Sequence, residues 1–423
     1  MMKISRLIVS ILMVFLIHQS FGQTSTVSPY SRFGPGELLF NGFAHQRGMG
    51  GTSLAESYFG RLNVSNPASY AYDSLMVFEF GVSGERLWLD QGAINSKKYN
   101  AKLEYLVLGM PLLRNKIGLV FGMLPFSGIG YSIKTSSFID SSNTISTTYE
   151  GTGGLNKYFL GTGIKLSKQF SVGVNASYLF GSTEQSRIIE FTDTDFFGTR
   201  VLDNTSVGDF LFDFGLHYKA HLKNNYTLAI GATFSTAQQM KAKRSFLWEN
   251  YRTNAIGIDF SRDTVQYIAE EKGEIELPMS FGIGIQVAKG EKWTVQSDFR
   301  FQEWSTYKSF RGEDSLDNSM RVSIGGQYVN DAKGTRFIER MQFRAGLFYS
   351  QSYLNLRNNT IEDKGISLGF GLPLRKAYQS MINIALEAGQ RGTTESTLIR
   401  ERYVRAVIGI TFNENWFQKR RFD

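Results

Sequence analysis

From Leu75 onward the chain alternates. Met76, Phe78, Phe80 and Val82 fall on one face of an extended segment, opposite Glu79, Gly81, Ser83 and Glu85. Trp293, Val295, Phe299 and Phe301 oppose Thr294, Gln296, Asp298 and Arg300 in the same way. Met341, Phe343, Ala345, Leu347 and Tyr349 oppose Gln342, Arg344 and Gly346, and Ile382, Ile384, Leu386 and Ala388 oppose Asn383, Ala385, Glu387 and Gly389. The last such segment sets Val404, Ala406, Ile408, Ile410 and Phe412 against Arg405, Gly409 and Thr411. A period of two marks strands with one apolar face. The pattern predicts about fourteen strands of about ten residues or more, long enough to cross a bilayer at a tilt. They fall near 75–89, 98–111, 115–134, 155–167, 169–191, 205–220, 225–247, 265–287, 292–306, 318–330, 341–352, 364–374, 380–391 and 400–412, and 143–151 reads as a possible separate strand.

The connections carry a second rhythm. A longer, more polar set (90–97, 135–154, 192–204, 248–264, 307–317, 353–363 and 392–399) alternates with a shorter one (112–114, 168, 221–224, 288–291 and 375–379). Only 331–340 breaks the alternation by being long. Short turns at one end and long loops at the other are the habit of outer-membrane barrels, and an even strand count returns both barrel ends to the periplasmic side. A soluble sandwich would also alternate, but its polar faces would not collect Glu79, Asp298, Arg300, Arg344, Glu387 and Arg405 among many glycines. These residues are therefore expected to face a crowded polar lumen. No repeat at a fixed period of 20 to 50 residues supports a solenoid.

The start of the chain changes the picture. Lys3 and Arg6 precede an apolar run from Leu7 to Ile17, followed by Ser20 and Gly22. This is the order of a secretory signal peptide cleaved after Gly22, so 401 of the 423 residues (423 − 22) remain in the mature chain. The net charge then falls from +8 to +6 (8 − 2), a modest and scattered excess that gives no nucleic-acid stripe. The absence of cysteine excludes a disulfide framework and a lipid-anchoring cysteine, so membrane attachment must come from the fold. A mean hydropathy of −0.20 does not oppose this, because spanning strands are apolar only at alternate positions. Aromatic content is 14%, enough to supply the girdles of such a barrel.

Residues 23–74 do not alternate. They are rich in Gly, Ser, Pro and aromatics, too apolar for a disordered leader, and are expected to form a plug in a lumen too wide for side chains alone to fill. Within them, Arg47-Gly48-Met49-Gly50-Gly51-Thr52-Ser53-Leu54-Ala55, followed by Asn63-Val64-Ser65-Asn66-Pro67-Ala68, resembles the N-terminal hatch of the FadL/TodX outer-membrane transporters (the OMPP1 family). Asn66-Pro67-Ala68 matches the hatch signature of that family. The resemblance implies a hatch (23–74) followed by a fourteen-stranded barrel (75–412) and a periplasmic tail (413–423) in the outer membrane of a Gram-negative bacterium. It also implies uptake of hydrophobic, long-chain fatty acid-like compounds, with sideways release beside a kinked third strand. Pro125, Gly128 and Gly130 mark the candidate opening here, since proline cannot donate to the ladder and glycines permit a bulge. Phe138, Ile139, Phe196 and Phe197 are candidates for a capture groove among the loops.

Chemistry is sparse. Neither GxSxG nor HExxH occurs, and mature histidine is limited to His45, His217 and His221. His217 and His221 lack a third ligand for zinc, and Gly48–Gly51 lacks the Lys-Ser/Thr of a phosphate loop. No catalytic residue, metal or cofactor is expected, and the chain reads as a non-enzyme. Its expected partners are outer-membrane lipid and a hydrophobic small molecule, with no nucleic acid. The alternative is a FadL-like barrel serving as a protein-binding or plug subunit of a type IX-like secretion system.

Overall fold

The computed structural model describes residues 26–40, 42–138, 143–193, 196–253, 259–310, 312–313, 316–374 and 380–415. The expected signal peptide and residues 416–423 of the tail lie outside them. Fourteen antiparallel strands close into a barrel. They are β1 (Met76–Gln91), β2 (Ile94–Leu113), β3 (Ile117–Phe138), β4 (Thr144–Lys165), β5 (Phe170–Phe191) and β6 (Gly198–His221). Next come β7 (Tyr226–Ser235 and Gln238–Thr253), β8 (Asp259–Leu277 and Ser280–Lys289), β9 (Trp293–Gln302) and β10 (Ser319–Val329). The last four are β11 (Gln342–Leu356), β12 (Asn359–Pro373), β13 (Met381–Arg391) and β14 (Arg400–Glu414). Closure is made by β14 on β1, from Arg400↔Asp90 to Glu414↔Met76. The first and last barrel residues therefore share one end, and the opposite end is called outer below.

The alternation has the expected sense. On β6 the outward residues Phe210, Phe212, Phe214, Leu216 and Tyr218 are exposed, while Gly215 and His217 between them are buried. A spanning strand without water outside needs such an apolar exterior and a complete ladder. Aromatic rings bound the apolar band: Tyr218, Tyr226, Trp293 and Tyr328 toward the inner end, Tyr158, Tyr178 and Phe210 toward the outer. Strands 7 and 8 are each interrupted at one level, at Thr236–Ala237 and Pro278–Met279, where proline cannot donate.

Several expected loops are strand instead. The stretch 90–97 is a hairpin turning at Gly92 and Ala93, and 353–363 turns at Arg357 and Asn358, both in the left-handed region. Much of 135–154 continues β3 and β4, so 143–151 is no separate strand. Beyond the lipid band both faces of a strand meet water, so alternation fades while Thr, Ile and Tyr still favour pairing. The result is lopsided. β3, β4 and β5 have 22 residues and β6 has 24, against 10 in β9 and 11 in β10 and β13. That difference is about 35 Å of strand at about 3.3 Å per residue, and it raises a wall on one side of the outer rim.

The inward faces also divide. In the inner half they are polar or glycine. In the outer half, Tyr30, Leu155, Leu179, Val207, Met240, Ile275 and Trp304 belong to one buried apolar cluster. The lumen is thus not polar throughout.

Candidate functional site

The N-terminal segment runs inside the cylinder as a belt against the wall. Ala44 meets Gly409 of β14, Gly48 meets Gly369 of β12, Met49 meets Gly325 and Gly346, Leu54 meets Gly231 and Gly284, Pro67 meets Gly163 and Gly173, and Tyr70 meets Gly118 of β3. At these places a methyl group has no room: a Cβ on Gly173 would lie 2.3 Å from the Pro67 carbonyl carbon, and one on Gly231 1.8 Å from the Leu54 carbonyl oxygen. Glycines on the inward face therefore let hatch backbone touch barrel backbone. Gly50 has φ +72, and Gly51 has φ +84. They turn the belt there, and the Gly50 N–H donates to Ser367 Oγ at 2.8 Å.

The expected hatch motif sits where a cap is needed. Asn66 Oδ1 accepts from the Ala68 N–H (3.1 Å), capping the short helical turn Pro67–Tyr72 with Pro67 in its first turn. Asn66 Nδ2 donates to Leu54 O (2.8 Å) and to Leu216 O on the wall (3.0 Å). Ala68 is wholly buried beside these contacts.

The expected lumen charges all face inward; Asp298, Arg300 and Glu387 grip this belt, and the other three bond to the wall. Asp298 accepts the Ser53 and Leu54 N–H groups at 2.7 and 2.9 Å, and Arg300 bonds Ser53 Oγ. Glu387 lies between Arg47 (3.3 Å) and Arg405 (3.2 Å), and Arg405 also pairs with Glu85. Arg344 donates to Gln327 (2.9 Å) and Asn383 (3.0 Å), and Glu79 accepts from Thr411 at 2.9 Å. Sequence reading missed the hatch side of these pairs. Arg47 reaches Glu104 at 3.0 Å as well as Glu387. His45 and Glu56 pair at 3.1 Å in full burial, and Glu37 pairs with Arg391 at 2.8 Å. His217 is a hatch contact, within 3.2 Å of Tyr72 Oη and 3.0 Å of Ala55 O, whereas His221 is exposed beside Thr227.

Above the belt lies a cavity of about 490 Å³. Its floor is apolar, built from Leu155, Leu179, Val207, Met240, Ile275 and Leu277. Its rim holds Arg32, Arg187, Arg244, Tyr149 and Asp203. Asp203 takes a bidentate pair from Arg244, at 3.0 and 3.0 Å. Arg32 and Arg187 instead flank one aromatic ring, 4.0 and 5.7 Å from the Tyr149 centroid. Among the described residues neither has a carboxylate within 4.0 Å.

The third strand parts from the second. The β2–β3 ladder runs from Leu113↔Ile117 to Leu106↔Met123, and among the described residues no pairing continues above it. Pro125 stands just beyond, and Phe126 is bulged between Pro125↔Asn156 and Ser127↔Leu155. A strap from the hatch fills the lower part of the slot. Glu37 pairs with Gly128 and Leu38 with Ser127, Leu39 N–H donates to Phe126 O (3.0 Å), and Gly130 N–H donates to Ser31 Oγ (3.1 Å). Gly36, at φ +93, packs so closely that a Cβ would lie 2.5 Å from Gly128 O. Phe33, Gly34 and Pro35 of the same strap, with Ile129 and Tyr131 of β3, wall the cavity. Of the loop candidates, Phe196 borders a separate cavity of about 290 Å³, Phe138 and Phe197 are exposed, and Ile139 lies outside the described residues.

The closed fourteen-stranded barrel is a fold that this chain shares with the FadL/TodX barrels. A FadL homologue of Pseudomonas aeruginosa shares 12% identity over 90% of this chain and 99% of its own, with a TM-score of 0.59. The toluene transporter TbuX of Ralstonia pickettii gives 13%, 88%, 99% and 0.58 for the same measures, and the toluene transporter TodX of Pseudomonas putida gives 16%, 90%, 100% and 0.57. Within this fold the chain belongs to the BamG family, whose sequence profile matches residues 1–423. No curated protein sequence matches it.

Three outcomes test this site. Gly173→Val will expel the hatch from a barrel that still forms, read as ion conductance in planar bilayers where the parent has almost none. Gly84→Val, with open space around it, will not. Arg47→Met leaves Glu104 and Glu387 short of a buried cation and will cost about 3–5 kcal/mol in unfolding by denaturant. Burial, helped by the Glu79 carboxylate, raises the Asp73 pKa well above the usual aspartate value. The stability from its bound proton is present below its unfolded pKa of about 4 and is lost as pH rises through the raised value. Asp73→Asn will therefore be more stable than the parent at pH 7 in thermal melts, with the difference vanishing below about pH 4.

Proposed function

We propose that this chain is an outer-membrane carrier of hydrophobic compounds, most simply amphiphiles with an anionic head. One observation carries the reading: an apolar cavity under an arginine-bearing rim lies behind a break in the barrel wall whose lower part is filled by a short hatch strap. The acyl or aryl part of a solute would rest on the Leu155–Leu179–Val207 floor, gaining about 0.8 kcal/mol per buried CH₂. Its head would take the Arg32–Tyr149–Arg187 cluster. Release into the aqueous periplasm would forfeit that gain, whereas release sideways into lipid keeps it. Pro125, Gly128 and Gly130 would then line the exit, and withdrawal of the strap at Glu37–Leu38 would open it. The hatch keeps ions out while the solute passes. The structural neighbours include toluene transporters and a monoaromatic hydrocarbon channel, which supports a hydrophobic cargo. Arg32 and Arg187, without a carboxylate within 4.0 Å among the described residues, favour an acidic one here.

The test uses protein in liposomes and a fluorescent dodecanoic acid. Leu38→Cys with Ser127→Cys, partners across the strap, will form a disulfide that slows delivery at least tenfold, and reductant will restore it. Unchanged delivery through the oxidised barrel would remove the strap from the route. No delivery by the parent, together with no lipid bound in native mass spectrometry, would remove the carrier reading itself.

A further inference from the structure

The slot between β2 and β3 continues above the strap. Among the described residues, the backbone ladder of β2 from Ile94 to Leu103 is with β1, and that of β3 from Leu124 to Phe138 is with β4 and, at two residues, the strap. The raised wall of β3 to β8 thus has two edges without a backbone ladder among the described residues, and the chain treats them differently. The β8 edge, Asp259–Ile275, has three register shifts and carries Asp259, Asp263, Glu270, Glu271 and Glu274. Bulges and charges are how edge strands are kept from pairing. The β3 edge has neither defence. Its register with β4 is unbroken from Ser127↔Leu155 to Phe138↔Thr144, and its one charge beyond Met123 is Lys134.

The strap shows how this edge is read. Phe126 O accepts from it and Gly130 N–H donates to it, so the even-numbered residues turn their backbone groups into the slot. Ser132, Lys134 and Ser136 continue that parity and are exposed. The facing strand contributes Lys97 and Lys98, also exposed, and among the described residues none of these three lysines has a carboxylate within 4.0 Å. We propose that Ser132–Phe138 is a docking edge for an extended acidic segment of a second protein, which adds to β3 as a strand in the line the strap begins. Backbone pairing would supply the hold and the lysines the preference for acidic sequence. The inference does not depend on transport, since the edge pairs whether or not the cavity holds a solute, and it gives the alternative reading, a protein-binding barrel, a definite place.

The test is photocrosslinking on intact cells of the native host, with p-benzoylphenylalanine in place of Ser132 and peptide mapping of the adduct. The expected result is one acidic, extended segment of another protein joined at this position. Ser136→Pro removes a slot-facing donor while sparing the β4 ladder, and will reduce the adduct at least tenfold. Ser136→Ala and Tyr267→Pro on the β8 edge will leave it. Charge reversal at Lys97, Lys98 and Lys134 together will also abolish it, with heat-modifiable gel migration showing that each barrel has folded. No adduct, an adduct only with lipid or with a second copy of this chain, or an adduct indifferent to both Ser136→Pro and charge reversal would overturn the proposal.

Discussion

The governing constraint is that a backbone in hydrocarbon must satisfy its own polar groups. Strands can do so only by closing on themselves, and the β14–β1 ladder is what makes the other thirteen pairings viable in lipid. Once fourteen strands close, their interior is too wide for wall side chains to fill. The belt of residues 26–74 answers that surplus volume. It is held by backbone packed on wall glycines and by paired charges, because a buried charge without a partner costs several kcal/mol. One place where the wall abandons its ladder, above Leu106↔Met123, is also where the belt supplies a substitute strand.

Much of this was legible in the residues. Strict alternation fixed the strand number and the inside–outside sense, and charges among glycines on the polar faces already pointed to a crowded lumen. Pro125 marked the departure of the third strand. Other features follow from contacts that periodicity does not encode. Glu104 shares an inward aspect with Tyr105 because β2 bulges between Gly81↔Tyr105 and Val82↔Leu103. Strict alternation would have sent one of them into lipid.

The apolar outer core was similarly masked. Leu179 stands between Tyr178 and Phe180, and Leu211 between Phe210 and Phe212. Three apolar residues in a row mean that both faces are dry, a sign that can be read but is easily lost among alternating neighbours. The loops were overestimated because strand pairing outlasts amphipathicity: Ile94–Tyr99 and Thr144–Tyr149 remain paired where lipid no longer selects one face. The strap at Glu37–Leu38 is invisible to any local rule, since its partners lie some ninety residues later.

The belt has a consequence for how the molecule is put together. Its residues touch β14 near Ala44 and β3 near Tyr70, so it borders almost the whole circumference. Once the last strand has joined the first, fifty residues would have to be threaded in past these close glycine contacts. Laying the N-terminal segment down early, with the wall wrapping round it and the final seam acting as a clasp, avoids that passage. Biogenesis of such a protein is an enclosure, with the cargo of the first synthesised residues sealed in by the last.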